Sequence, residues 1–216
     1  MKQFSNKYMI LFSLSLAAIV ALLLSAVSMF LKERQTRNQQ AETKQMILKT
    51  IGIEATLDNA DKLFDRNILT QEKGVYDANG NSHAEIDFYQ YDCGFIIPLK
   101  GNGLWGPIWG YLAVDSTMTI VGAVFDHEGE TPGLGAEIAT DKFAEQFIGK
   151  KMDVRPIVLK KKADPISPYE VDAISGGTMT SNGVNAMLED AFNEYENLNR
   201  RVELSCSKEE RKEVSR

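Results

Sequence analysis

The sequence predicts an α+β protein in which an N-terminal transmembrane helix is followed by an antiparallel-sheet domain with flanking helices. Three observations carry this expectation. No charged residue interrupts the run from Tyr8 to Leu31, and roughly 20 apolar residues are enough for a helix to cross the hydrocarbon layer of a bilayer. Four β-rich segments follow, Glu85 to Tyr91, Gly94 to Leu99, Ile108 to Val114 and Met118 to Phe125, spaced for neighbouring strands to pair antiparallel. Near the end, Val184, Met187, Leu188, Ala191, Phe192 and Tyr195 recur at helical spacing.

Composition narrows the classes. With 216 residues, 44% hydrophobic and 25% charged, the chain suits one globular domain plus an appendage. The net charge of -6 and the lack of any basic stripe interleaved with aromatics argue against a nucleic-acid partner. Cys93 and Cys206 are the two cysteines, one in a predicted strand and one in a polar tail, so neither a disulfide framework nor a metal site is implied. His83 and His127 are too few and too far apart to suggest a metal cluster.

The N-terminal run competes with a signal peptide, because Lys2 and Lys7 precede it and Ala26-Val27-Ser28 resembles a cleavage site. Signal cores are shorter, about 7–15 residues, and Met29-Phe30-Leu31 continues the apolar run beyond that site, so an anchor is expected. Charge does not orient it: Lys2 and Lys7 lie before the span, and Lys32, Arg34, Arg37 and Lys44 after it. Residues 32 to 66 read as a solvated helical stalk that Gly52 interrupts. The segment Asp77-Ala78-Asn79-Gly80-Asn81 reads as a turn of the Asn-Gly type ahead of the first predicted strand.

Within the sheet, Asp115-Ser116 marks the hairpin between the last two predicted strands, and two Trp residues, Trp105 and Trp109, crowd the glycine-rich entry to the third. Asp126 to Ile138 is an acidic segment with three glycines and a Thr131-Pro132-Gly133 turn. Its acids read as solvated, while Leu134 between Gly133 and Gly135 leaves room for a flat partner. Thr140 and Asp141 open a short helix whose Phe143, Phe147 and Ile148 are expected on one face, with Gly149 at its end. Ile157 to Leu159 forms another strand, Lys160-Lys161-Lys162 a solvated turn, and Val171 to Ile174 an extended lead into a hydroxyl-rich loop.

That loop, Asp172 to Gly183, contains Ser175-Gly176-Gly177-Thr178-Met179-Thr180-Ser181. Its adjacent glycines let backbone N–H groups turn toward a ligand, and its hydroxyls fall where a helix begins. Such a terminus favours an anion, a phosphate in particular; an ordinary helix cap is the simpler alternative.

Taken together, the apolar span, Gly129-Glu130-Thr131-Pro132-Gly133-Leu134-Gly135-Ala136-Glu137-Ile138 and Ser175-Gly176-Gly177-Thr178 followed by Thr180-Ser181 resemble the C subunits of the bacterial sodium-translocating NADH:quinone oxidoreductases. The related G subunits of Rnf complexes share both loops, but Gly103-Leu104-Trp105 and Gly110-Tyr111-Leu112 point to the quinone-reductase family. The resemblance implies an FMN-binding domain over 67–200, after a tail over 1–7, a transmembrane helix over 8–31 and a stalk over 32–66, and before a polar tail over 201–216. It implies FMN joined covalently through its phosphate to Thr178, with Ser175, Gly176, Gly177 and Thr180 around the phosphate and Asp172 as the acid that a flavin transferase recognises. Gly177 departs from the family's usual alanine. Thr131, Leu134 and Gly135 are expected to border the flavin ring.

The implied partners are the other membrane subunits of a sodium-pumping redox complex in the bacterial inner membrane, with a single span and a periplasmic soluble domain. NADH is expected to bind elsewhere, since no Rossmann fingerprint occurs. A membrane-anchored flavin module outside any pump is one competing reading. A hydrolase using Ser175 or Thr178 with His83 or His127 is another, and it lacks a Gly-x-Ser-x-Gly elbow.

Overall fold

The computed structural model describes residues 6–76, 82–92 and 94–195. The predicted Asp77–Asn81 turn, Cys93, Cys206 and the polar tail lie outside them. The chain divides after Thr43 into two compact units, each described by itself.

In the first unit, helix α1 (Asn6–Thr50) begins. Its apolar residues from Tyr8 to Leu31 are exposed all round the helix, and among the described residues it is the one helix long and apolar enough to cross a membrane. The serines within the run return their hydroxyls to the helix backbone, Ser13 to the Met9 carbonyl at 2.9 Å and Ser15 to the Phe12 carbonyl at 2.9 Å. Hydroxyls satisfied in this way carry little cost in an apolar medium.

The second unit begins at Lys44 with roughly the last two turns of α1 and differs from the expected solvated stalk. Ile47 and Leu48 are fully buried, and α1 stops where Gly52 takes φ +75, a left-handed value that suits glycine. Helix α2 (Ala60–Asn67) is tied back by an ion pair between Lys44 and Asp61 at 2.6 Å. The sheet is an antiparallel meander of β1 (Thr70–Tyr76), β2 (Ser82–Tyr91), β3 (Gly94–Asn102), β4 (Pro107–Val114) and β5 (Ile120–His127), paired in chain order. Asp115 closes the β4–β5 hairpin: its carboxylate accepts from the Thr117 and Thr119 amides at 2.8 and 3.0 Å.

Alternating residues of β3 and β4 serve two cores, because the sheet is covered on both faces. Phe95, Ile97, Leu99, Ile108 and Leu112 face a large core with the later helices. Ile96 and Ala113 face a smaller one with Ile47, Ile68 and the Phe64 ring. A short 3-10 turn (Gly135–Ala139) and helix α3 (Asp141–Glu145) pack over β5. Phe143 and Phe147 enter the core, whereas Ile148, expected beside them, is exposed; α3 ends at Glu145, so helical spacing no longer assigns the face of either Phe147 or Ile148. Two short strands, β6 (Val158–Lys160) and β7 (Glu170–Asp172), pair parallel and lead into helix α4 (Thr178–Tyr195), which packs on β3 through Val184, Met187, Leu188 and Ala191.

Candidate functional site

The hydroxyl loop begins where β7 ends. The Ala173 amide donates to the Lys160 carbonyl at 2.7 Å, extending the β6–β7 pairing by one step. The chain then turns through Ile174-Ser175-Gly176-Gly177, closed by the Gly177 amide on the Ile174 carbonyl at 3.1 Å, with Gly176 at φ +75. A Cβ at Gly176 would also lie 2.7 Å from Leu134 Cδ2. The left-handed backbone favours glycine there, and the exposed Leu134 side chain of the acidic loop closes over it.

Gly177 accepts from the Ser181 amide at 2.8 Å and starts α4. The amides of Thr178, Met179 and Thr180 consequently lie in the first turn, where a helix supplies no carbonyl for them. The Ser181 side chain faces back into the turn and accepts from the Ile174 amide at 3.1 Å. Thr180 is 2% exposed, and its hydroxyl donates to Glu130 Oε2 at 2.6 Å. Ser175 and Thr178 remain exposed. Of the two, Thr178 alone stands on the helix.

A hollow of about 550 Å³ opens beside this turn, lined among others by Ser175, Gly176, Thr178, Asn182 and Lys161. A second, of about 600 Å³, lies across the Ile174-Ser175 segment and takes in Gly133, Thr140, Lys142, Gln146 and Asp172. Both volumes fall within the roughly 300–1,000 Å³ common for ligand sites. Thr180 lines neither hollow. Asp172 is exposed, its carboxylate accepting from the Ala163 amide at 2.8 Å and its amide donating to Gln146 Oε1 at 2.9 Å.

The acidic loop meets the hydroxyl loop through Glu130, which had read as one of several solvated acids. It is 4% exposed. Oε1 accepts from the Trp105 amide at 2.8 Å while Oε2 holds Thr180, and the Glu130 amide donates to His127 Nδ1 at 3.2 Å. Gly103 and Gly135 lie against the carboxylate so closely that neither could carry a Cβ without displacing it. Burial alone would raise the Glu130 pKa, but hydrogen bonds from Thr180, Trp105 and Leu104, with His127 nearby, hold it below the usual glutamate value.

The other expected ring neighbours are divided. Thr131 and Leu134 are exposed, the Thr131 carbonyl accepting from the Leu134 and Ala136 amides at 3.1 and 3.2 Å. Gly135 is buried beneath Glu130 and Thr180. Lys161, expected in a solvated turn, lines the Thr178 hollow, whereas neighbouring Lys160 pairs with Glu170 at 2.7 Å. His127 is held in the Glu130 loop, and the side chain of His83 lies outside the described residues.

Residues 103–193 match the family model of the FMN-binding domain. The fold aligns with the crystal structure of the Na(+)-translocating NADH-quinone reductase C subunit from Parabacteroides distasonis, with a TM-score of 0.66 and 33% identity, covering 76% of this chain and 94% of that one. The chain belongs to the C-subunit family of the Na(+)-translocating NADH-quinone reductases. The Vibrio alginolyticus member is 28% identical over 79% of this chain and 84% of its own length. The Chlamydia caviae member is 38% identical, the match covering 48% of this chain and 39% of that protein. A structure of Shewanella oneidensis NqrC, 19% identical with a TM-score of 0.59, shares the fold.

Proposed function

We propose that the chain is the membrane-anchored flavoprotein subunit of a sodium-pumping NADH:quinone oxidoreductase, carrying FMN covalently on Thr178 and relaying electrons to or from the other subunits. The observation that carries the attachment point is the sorting of hydroxyls around one turn. Thr180 and Ser181 are buried and engaged by Glu130 and the Ile174 amide. Thr178 is exposed on the rim of the hollow, at the start of α4, with amides of the first turn beside it.

These residues fit a phosphate. The helix terminus and Lys161 supply positive potential to an anion, and the open volume admits more than the phosphate alone. With FAD as donor, Thr178 Oγ would bond to the flavin-side phosphorus as the pyrophosphate bond breaks, with AMP leaving and its phosphate taking up the hydroxyl proton. Asp172, exposed at the mouth of the second hollow, is the acid offered to the transferase. FMN, once bound, supplies the redox chemistry. Thr131 and Leu134, exposed on the acidic loop, would border its ring, with Gly135 buried behind them against Glu130 and Thr180. The span from Tyr8 to Leu31 anchors the chain in the inner membrane with the soluble domain in the periplasm, and a covalent tether there prevents loss of the cofactor to dilute surroundings.

The test is the intact mass of the full chain expressed with and without a flavin transferase. The wild type gains one FMN with the transferase and remains fluorescent on a denaturing gel. Thr178→Ala runs dark. A fluorescent Thr178→Ala band, or a flavin peptide containing Ser175 alone among the hydroxyls, would remove Thr178 from this role.

A further inference from the structure

The geometry points to Glu130 as a positioning residue that sets the Thr178 acceptor in place by holding the first turn of α4 against two distant loops, an inference that rests on the attachment reading above. The carboxylate makes one bond to the helix, through the Thr180 hydroxyl at 2.6 Å, and one to the tip of the β3–β4 hairpin, through the Trp105 amide at 2.8 Å. Its own backbone is fixed by His127 Nδ1 at 3.2 Å. Three segments therefore meet on one side chain, and two of them keep glycine, Gly103 and Gly135, against it.

The consequence for Thr178 follows from helix geometry. Thr178 and Thr180 are two residues apart, about 200° around the helix axis, so one side chain is turned inward where the other is turned to solvent. Burial agrees: Thr180 is 2% exposed and Thr178 is exposed. No hydrogen bond holds the Thr178 hydroxyl among the described residues. Its direction is set instead by the rotation and tilt of the first turn, and Thr180 to Glu130 is the side-chain bond that fixes that rotation from inside. The Ser181 hydroxyl on the Ile174 amide ties the turn to its own loop, and Asn185, which accepts from the Leu159 amide at 2.7 Å, and the core residues from Val184 onward hold the helix further along, so Glu130 acts on the first turn itself.

A misplaced nucleophile loses rate without losing affinity for its partner, by on the order of a hundredfold for a displacement of about 1 Å. The experiment compares full-length wild type, Thr180→Val, Thr180→Ser and the double variant Glu130→Gln/Thr180→Val as substrates of the flavin transferase with FAD. Thr180→Val removes the bond to the helix; the double variant does so without leaving a buried charge short of a donor. Initial rates of flavin incorporation, read by intact mass across a range of acceptor concentrations, give kcat and KM, and thermal unfolding of each apo protein reports the fold.

The expected result is a fall in kcat on the order of tenfold or more for Thr180→Val and the double variant, with KM for the acceptor protein unchanged and both proteins folded at the assay temperature. Thr180→Ser, which keeps the hydroxyl, stays within about twofold of wild type. Folded Thr180→Val that loads at the wild-type rate overturns the inference and leaves the attachment reading standing. Losses that merely track the unfolded fraction across the four proteins overturn it too, by reducing Glu130 to a stabilising contact. Wild type that carries its flavin away from Thr178 overturns both readings.

Discussion

Ile174 Cγ2 lies 2.9 Å from the position that a Cβ on Gly177 would occupy, and Ile174 Cβ lies 3.2 Å from it. Both atoms sit on the stiff, branched part of the side chain, so neither can swing aside as the end of a flexible chain would. Gly177→Ala is expected to destabilise the apo domain by about 1–3 kcal/mol, the usual cost of overpacking. Replacing Ile174 with leucine moves the branch one carbon outward at nearly constant volume, so Gly177→Ala/Ile174→Leu should recover much of that loss. Urea unfolding of the four members of this cycle checks it. Strictly additive effects would show that the two side chains do not compete for this space.

That contact also shows where sequence reasoning stops. Runs of β-forming residues bounded by turn residues revealed β2 to β5, and apolar residues at helical spacing revealed α4. Neither signal revealed β1, whose Thr70-Gln71-Glu72-Lys73 stretch has no apolar alternation and is recruited by pairing with β2 at the sheet edge. Nor did either place Ile47 in a core, since the second face of the sheet that covers it is supplied by residues such as Ile96 and Ala113. The hydroxyl loop was legible as a helix start, yet the sorting of its hydroxyls was not. Thr180 is turned inward by an acid fifty residues away in sequence, and an acidic loop gives no local sign that one carboxylate will find buried donors. The glycines at 103 and 135 were the available signal, visible only as an unexplained excess.

The depressed pKa of Glu130 makes a prediction with a definite sign. A carboxyl held below its unfolded value of 4.5 binds its proton more readily in the unfolded chain. Its contribution to stability is therefore complete above about pH 4.5 and is lost as the pH falls from there through the lower folded value. Urea unfolding of the apo protein between pH 7 and pH 3 should show a steeper acid loss for wild type than for Glu130→Gln, which cannot titrate at that position. Asp115 is also held low by Thr117 and Thr119 against the opposing effect of burial, so some acid sensitivity persists in the variant. Parallel curves for the two proteins would show that Glu130 ionises alike in both states.

If the soluble domain faces the periplasm, as proposed, protease added to intact spheroplasts should release fragments of residues 32–216, while inverted membrane vesicles should protect them. The mature N-terminus should precede Tyr8, because an apolar run reaching Leu31 exceeds the about 7–15 residues of a signal core. Digestion only in inverted vesicles would reverse the topology. A mature chain starting near Met29 would replace the anchor with a cleaved leader.

Lys161 separates the phosphate reading from a simple helix cap. Three lysines stand in sequence from the end of β6 onward, but they differ in placement: Lys160 is paired with Glu170 at 2.7 Å, whereas Lys161 lines the hollow that contains Ser175 and Thr178. A cap needs no cation at its N-terminus, where the helix already carries positive potential, and like charges there are unfavourable. A phosphate bound at Thr178 reverses that balance. Lys161→Gln should therefore slow flavin incorporation by roughly fivefold or less, the scale of one partly exposed charge pair of up to about 1 kcal/mol, and the wild-type advantage should shrink as salt is raised. The same substitution should leave the apo protein as stable as before or slightly more so. Lys162→Gln, one residue along and outside the hollow, is the control and should load normally. Equal loading by Lys161→Gln and wild type at low salt, or equal slowing by both variants, would show that Lys161 has no specific hold on the phosphate.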